Sequence, residues 1–159
     1  MIRISKLTDY AFIVLGHMAR GRHEAVYAAA ELATGTGIAV PTVSKVLKSL
    51  TRAGVVRSLR GVRGGYALCR PARETSVATV IHALEGPIAI TECGIAEHQC
   101  NQSDACHTRG NWDLINQAIR GALESVSLAD LVRPPNDHGA EVSIPLTSLT
   151  LPRATELTE

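Results

Sequence analysis

Apolar residues recur at helical spacing near the start of the chain: Leu7, Ala11, Val14, Leu15 and Met18 share one side of a helix running from about Ser5 to Arg20. A second, shorter helix fits Ala28 to Thr34 and is ended by Gly35-Thr36-Gly37, because glycine permits the backbone of a tight turn. A third begins at Val40-Pro41. Proline is tolerated in a first helical turn, where its missing N–H would have no intrahelical partner. That helix turns Val43, Val46, Leu47 and Leu50 inward and stops at Gly54. Helix, short helix, glycine turn and helix, in this order, form a helix-turn-helix pattern.

The period then changes. Val55-Val56 and Tyr66-Ala67-Leu68 read as two short strands joined by Arg60-Gly61-Val62-Arg63-Gly64-Gly65, the hairpin that forms the wing of a winged helix-turn-helix. Val77, Val80, Ile81 and Leu84 mark another short helix, closed by Gly86-Pro87. An irregular, cysteine-bearing loop spans 88–108, and a long amphipathic helix follows with Trp112, Ile115, Ile119, Leu123 and Val126 on one side. From Arg133 onward, Pro134, Pro135, Pro145 and Pro152 lie amid Ser and Thr, which predicts a mobile tail. The fold class is mainly α with a small β wing. A winged helix-turn-helix domain occupies 1–73, a short helix, the cysteine loop and the long helix occupy 74–132, and the tail occupies 133–159.

Charge sharpens this picture. The formal net charge is only +1, but residues 1–73 carry 12 Lys and Arg against 3 acids, and residues 74–159 carry 4 against 12. No acid falls between Glu31 and Glu74, the stretch that holds Lys45, Lys48, Arg52, Arg57, Arg60, Arg63, Arg70 and Arg73. Such a block attracts a polyanion. A solvated basic face would have the same composition, so spacing has to decide. In a helix-turn-helix the exposed N-terminal residues of the second helix meet base edges, and here those are Thr42, Ser44, Lys45 and Lys48. The glycine-rich wing presents Arg60 and Arg63, and arginine suits the enhanced negative potential of a narrow minor groove. Double-stranded DNA is therefore the expected partner. Five aromatic residues are too few for a base-stacking single-strand binder. No run of about 18 apolar residues occurs. Without a recognisable secretory signal, no membrane association and a cytoplasmic location are expected.

Cys93, Cys100 and Cys106 stand as C-x6-C-x5-C, followed at once by His107. Clustered cysteines in a cytosolic chain favour metal or redox chemistry over structural disulfides. Three soft thiolates suit an iron–sulfur cluster or zinc, although zinc ribbons usually use tight C-x2-C pairs. Unligated thiols on an exposed loop would oxidise readily. Cys69, far from the three, reads as a small packed side chain, and His17, His23, His82 and His138 show no ligand spacing. No nucleophile triad, paired carboxylates or phosphate loop is present, so an enzyme is not expected.

The run Gly54 to Tyr66, with its Arg60-Gly61-Val62-Arg63-Gly64-Gly65-Tyr66 core, and the opening Leu7-Thr8-Asp9-Tyr10-Ala11 resemble the iron–sulfur winged-helix transcription regulators of the IscR and NsrR type. The resemblance covers about residues 1–132. Within that family, Cys106 to Trp112 and Ala122 to Asp130 are most similar to regulators of SUF iron–sulfur assembly. It implies a homodimer paired through the long helix on a partly palindromic operator, most simply as a repressor, with Arg60 in the minor groove. Ser44 stands where IscR has a recognition-helix glutamate, which implies an operator different from that of IscR. The resemblance also implies a cluster on the three cysteines, of the 2Fe-2S type before the 4Fe-4S. The family commonly has five residues in each gap, and the first gap here departs by one. For the fourth ligand, Arg109 stands where IscR has its histidine and cannot serve. Asp9 matches the aspartate that NsrR takes from the partner subunit, and His107 is the other candidate, with Glu97 and His98 behind them. Two rivals stay open: a zinc- or thiol-based redox-responsive DNA-binding regulator, and an iron–sulfur scaffold or carrier.

Overall fold

The computed structural model describes residues 3–22, 24–95 and 106–134, without the side chains of Cys93 and Arg109. Helix α1, Lys6–Ala19, is capped by Ser5, whose hydroxyl accepts the Thr8 N–H. It buries Thr8, Ala11, Val14, Leu15 and Met18, as the apolar spacing requires. Helix α2, Ala29–Thr36, runs two residues beyond the predicted end and stops at Gly37, which takes the left-handed φ of 71°. Gly35 is thus a helical residue, not a terminator. A Cβ there would lie 2.4 Å from the His17 imidazole, so packing accounts for this glycine.

Helix α3, Val40–Arg52, carries Pro41 in its first turn and buries Val43, Val46, Leu47 and Leu50. Strand β1, Val56–Leu59, pairs antiparallel with β2, Gly65–Leu68, in the register Val56↔Leu68 to Leu59↔Gly65. Val55, expected in the strand, belongs instead to the exit from α3, where its N–H donates to the Leu50 carbonyl at 3.0 Å. Tyr27 adds a third backbone to the wing, exchanging both N–H···O bonds with Tyr66 at 2.8 and 2.9 Å.

Helix α4, Val77–Glu85, is capped by Ser76, and α5 spans Arg109–Glu124. Val126, placed on that helix by its spacing, lies beyond it, and its carbonyl accepts the Val77 N–H at 2.8 Å. A short helix the periodicity did not reveal, α6 at Leu128–Leu131, follows a Ser127 cap that Asp130 reciprocates. The core gathers Ala11, Val14, Leu15 and Met18 of α1, Leu32 of α2 and the four inward residues of α3. Val56, Leu68, Val80 and Leu128 close it. Beyond Pro134, the predicted tail lies outside the described residues.

Candidate functional site

The burial of α3 fixes what its other side can do. With Val43, Val46 and Leu47 fully buried against α1 and α2, Ser44, Lys45 and Lys48 face solvent and Thr42 is half-buried. No acid occurs in the first turn of α3. The wing follows with Arg57, Arg60 and Arg63 exposed. Among the described residues none of these five cations (Lys45, Lys48, Arg57, Arg60, Arg63) enters an ion pair, so no described acid compensates their charge. Recognition-helix and wing cations therefore emerge from adjoining elements.

The wing glycines do more than leave room for a ligand. A Cβ on Gly65 would lie 2.5 Å from the Tyr27 carbonyl oxygen, and one on Gly64 would lie 2.6 Å from that of Leu59. The glycines let the chain's own backbones close the hairpin, and Val62 is left fully exposed at its tip. Cys69, predicted to be packed, is exposed. It lies just past the end of β2, where its N–H still donates to the Val55 carbonyl at 3.1 Å while its thiol is left in solvent.

The cysteine region is anchored on α5 at both ends. Cys93 lies in a 3-10 turn, Glu92–Gly94, that packs on α5. Cys106 is half-buried just before α5, its Sγ 3.3 Å from Thr108 Oγ1, and His107 is exposed. Cys100, Glu97 and His98, like His23 and His138, lie outside the described residues. Asp9 is exposed in the first turn of α1. Among the described residues no three His, Cys, Asp or Glu side chains gather as a metal site. Of the three cysteine side chains only that of Cys106 is among the described residues, so the expected ligand set lies largely outside them. In its chemistry the donor set of three thiols fits an iron–sulfur cluster.

Two polar arrangements were missed by the sequence reading. Thr8, fully buried, donates its hydroxyl to Glu85 Oε1, which also accepts the Ser5 N–H at 2.9 Å. These bonds, that from Thr8 foremost, hold the Glu85 carboxyl below the usual carboxylate range. The other is Asn116, 4% exposed and the only buried described side chain of α5. Its signal was an amide directly after Ile115 on an otherwise apolar helix face.

An exposed polar helix beside a basic hairpin, carried on a closed α-helical core, defines a winged helix-turn-helix DNA-binding regulator. The chain belongs to the Rrf2 family, described as iron-dependent transcriptional regulators, whose sequence profile matches residues 4–134. It is 31% identical over 131 residues to the transcriptional regulator IscR of Photorhabdus laumondii, covering 82% of this chain and 79% of that one. Among solved structures it is similar to CymR, the global cysteine regulator of B. subtilis. That match has a TM-score of 0.64 at 26% identity over 83% of this chain and 97% of CymR. IscR of T. potens matches with a TM-score of 0.61 at 25% identity over 82% and 86%. The protein is accordingly a transcriptional regulator and not an enzyme. Among the described residues no helix is long and apolar enough to cross a membrane.

Proposed function

We propose that this chain is a homodimeric cytoplasmic repressor that reads iron–sulfur cluster status and controls iron–sulfur assembly genes of the SUF type. The observation that carries it is the anchoring of the cysteine loop on α5, in a chain whose family is one of iron-dependent regulators. In this reading Thr42, Ser44, Lys45 and Lys48 meet the major groove, and Arg60 and Arg63 of the wing meet the minor groove. Cys93, Cys100 and Cys106 hold the cluster, with Asp9 of the partner subunit or His107 in the fourth position. When bound, a 2Fe-2S or 4Fe-4S cluster supplies an oxidant-labile crosslink among the thiolates. The chain does the rest. The cysteines order the loop, the loop bears on α5, and α5 sets the spacing of the two winged domains. A coupling of about 1–3 kcal/mol changes operator affinity roughly 5–150-fold.

Anaerobic purification with a visible spectrum and iron, sulfide and zinc analysis tests this reading. Near-stoichiometric iron and sulfide are expected, and Cys100→Ala should lose both, together with the metal-dependent change in operator affinity, while keeping its circular dichroism. A second reading, a zinc- or thiol-based switch on the same DNA-binding frame, is favoured by Arg109 at the position of the IscR histidine ligand. Zinc without sulfide, or a colourless protein that resists cluster reconstitution, selects it.

A further inference from the structure

We propose that Asn116 is a positioning residue that latches the Cys93 turn to the long helix, so that what binds the loop cysteines is felt by α5 through this amide as well as through the chain at Cys106. A buried primary amide at mid-helix is unfavourable unless both its ends are bonded, because each unbonded end has lost its water without gaining a partner. Both ends of Asn116 are used, and both address the same short segment. Its Oδ1 accepts the Ile90 N–H at 2.8 Å, and its Nδ2 donates to Thr91 Oγ1 at 3.3 Å. The turn closes around that amide: Gly94 and Ile95 donate to the Thr91 and Glu92 carbonyls at 3.0 and 3.1 Å. A Cβ on Gly94 would lie 2.2 Å from Nδ2, so only glycine lets the turn seat on Asn116.

One helical turn further, Arg120 reaches the Ile88 carbonyl at 3.4 Å, a second strap at i+4 on the same face. Apolar burial holds this segment only weakly, since Ile88 and Ala89 are half-buried and Ile90 and Ile95 are 40% and 43% exposed. The segment is therefore tied to α5 by directional polar contacts that a small backbone shift breaks. The same helix carries Trp112, the only tryptophan of the chain, which reports on it.

The inference rests on the reading of the cysteines as ligands, and its test separates the two. Backbone hydrogen exchange is measured on metal-free protein, and Zn(II) is titrated against a chromophoric chelator with Trp112 emission followed in parallel. In Asn116→Leu, exchange over 88–95 is expected to rise at least about tenfold while 40–52 is unchanged. Zn(II) affinity should fall roughly 10–100-fold, and the Trp112 response at saturation should drop below about half the native one. Asn116→Asp keeps the acceptor for Ile90 and should show the smaller effect. Native exchange over 88–95 in the Leu variant, or a rise shared equally by 40–52, overturns the latch. So does a full Trp112 response in that variant, or none in Zn(II)-bound native protein. A native protein that binds no Zn(II) overturns the ligand reading, and the exchange arm then decides the latch by itself.

Discussion

The winged domain and the α5 region are stabilised by opposite means. In α1 to α3 the inward positions are apolar and shut apart from Thr8 at the start of α1, with Ala11, Val14, Leu15, Val43, Val46, Leu47 and Leu50 all at 0% exposure. In α5 the buried position is an amide, while Trp112 and Ile115 stand 36% and 40% exposed. A helix whose apolar residues remain in water gains little stability from its own chain, because tertiary burial supplies most helical stability. The winged core is thus closed, with Val80 of α4 and Leu128 of α6 completing it, whereas α5 presents an apolar side that the proposed second copy of the chain would cover. For the proposed switch this is a workable division: a closed DNA-reading core keeps its geometry while the less buried element carries the coupling.

The largest expected effect breaks the first half of that comparison. Leu47→Ala empties a fully buried site shared by α1, α2 and α3 and should cost about 2–5 kcal/mol in denaturant titrations. Ile115→Ala should cost far less in the same measurement. Equal losses would show that α5 is as closed as the winged core.

The second prediction addresses what covers α5. Ile115→Glu places a charge where the dimer reading puts the partner helix and should weaken self-association about a hundredfold or more, roughly 2.7 kcal/mol. Sedimentation measures this, and the circular dichroism of the winged domain should be unchanged. A native protein that is monomeric at high concentration removes the dimer from the proposal.

These contrasts also explain what was legible in the sequence. The winged helix could be read because its elements obey one rule, apolar inside at the local period, and because Pro41 marks a helix start and Gly37 a helix end. The exposed cations of α3 and the wing followed from the same periodicity. Val126 was misassigned because spacing cannot see that a chain has turned: the helix ends at Glu124, yet a valine two residues past the end keeps the period. Gly35 and Cys69 were misread for a related reason, since a glycine within a helix and a cysteine at a strand end take their meaning from neighbours distant in sequence. Thr8–Glu85 and Asn116 were illegible because polar latches have no period. They join residues 77 and about 25 positions apart through single hydrogen bonds.

On the DNA side the comparison sharpens into two kinds of contact. Arg60→Ala should weaken operator binding by about 1–3 kcal/mol while preserving dimer and metal content, if a wing arginine reads the groove. Lys48→Ala should lower affinity across all sequences and reduce the salt slope by about 1. Fluorescence anisotropy against salt separates them, and an Arg60 variant that binds the operator as the native protein does refutes the minor-groove role.

The smallest effect concerns a seam between the two regions. Glu85 ends α4, immediately before the segment that leads to Cys93, and it holds the Ser5 N–H and the Thr8 hydroxyl at the start of α1. Because those donors favour the ionised form, the carboxyl titrates lower in the folded chain than in the unfolded one. The stability it contributes is therefore fully present above the unfolded carboxylate value and fades as pH falls through the lowered folded value. Glu85→Gln should reduce the melting temperature slightly at neutral pH, with the deficit shrinking towards about pH 3 as the native carboxyl also takes up its proton. Melting curves of both proteins across that range measure the difference. A deficit that stays constant would mean that Glu85 acts by shape alone, and that α1 and the approach to the cysteine loop are not joined through its charge.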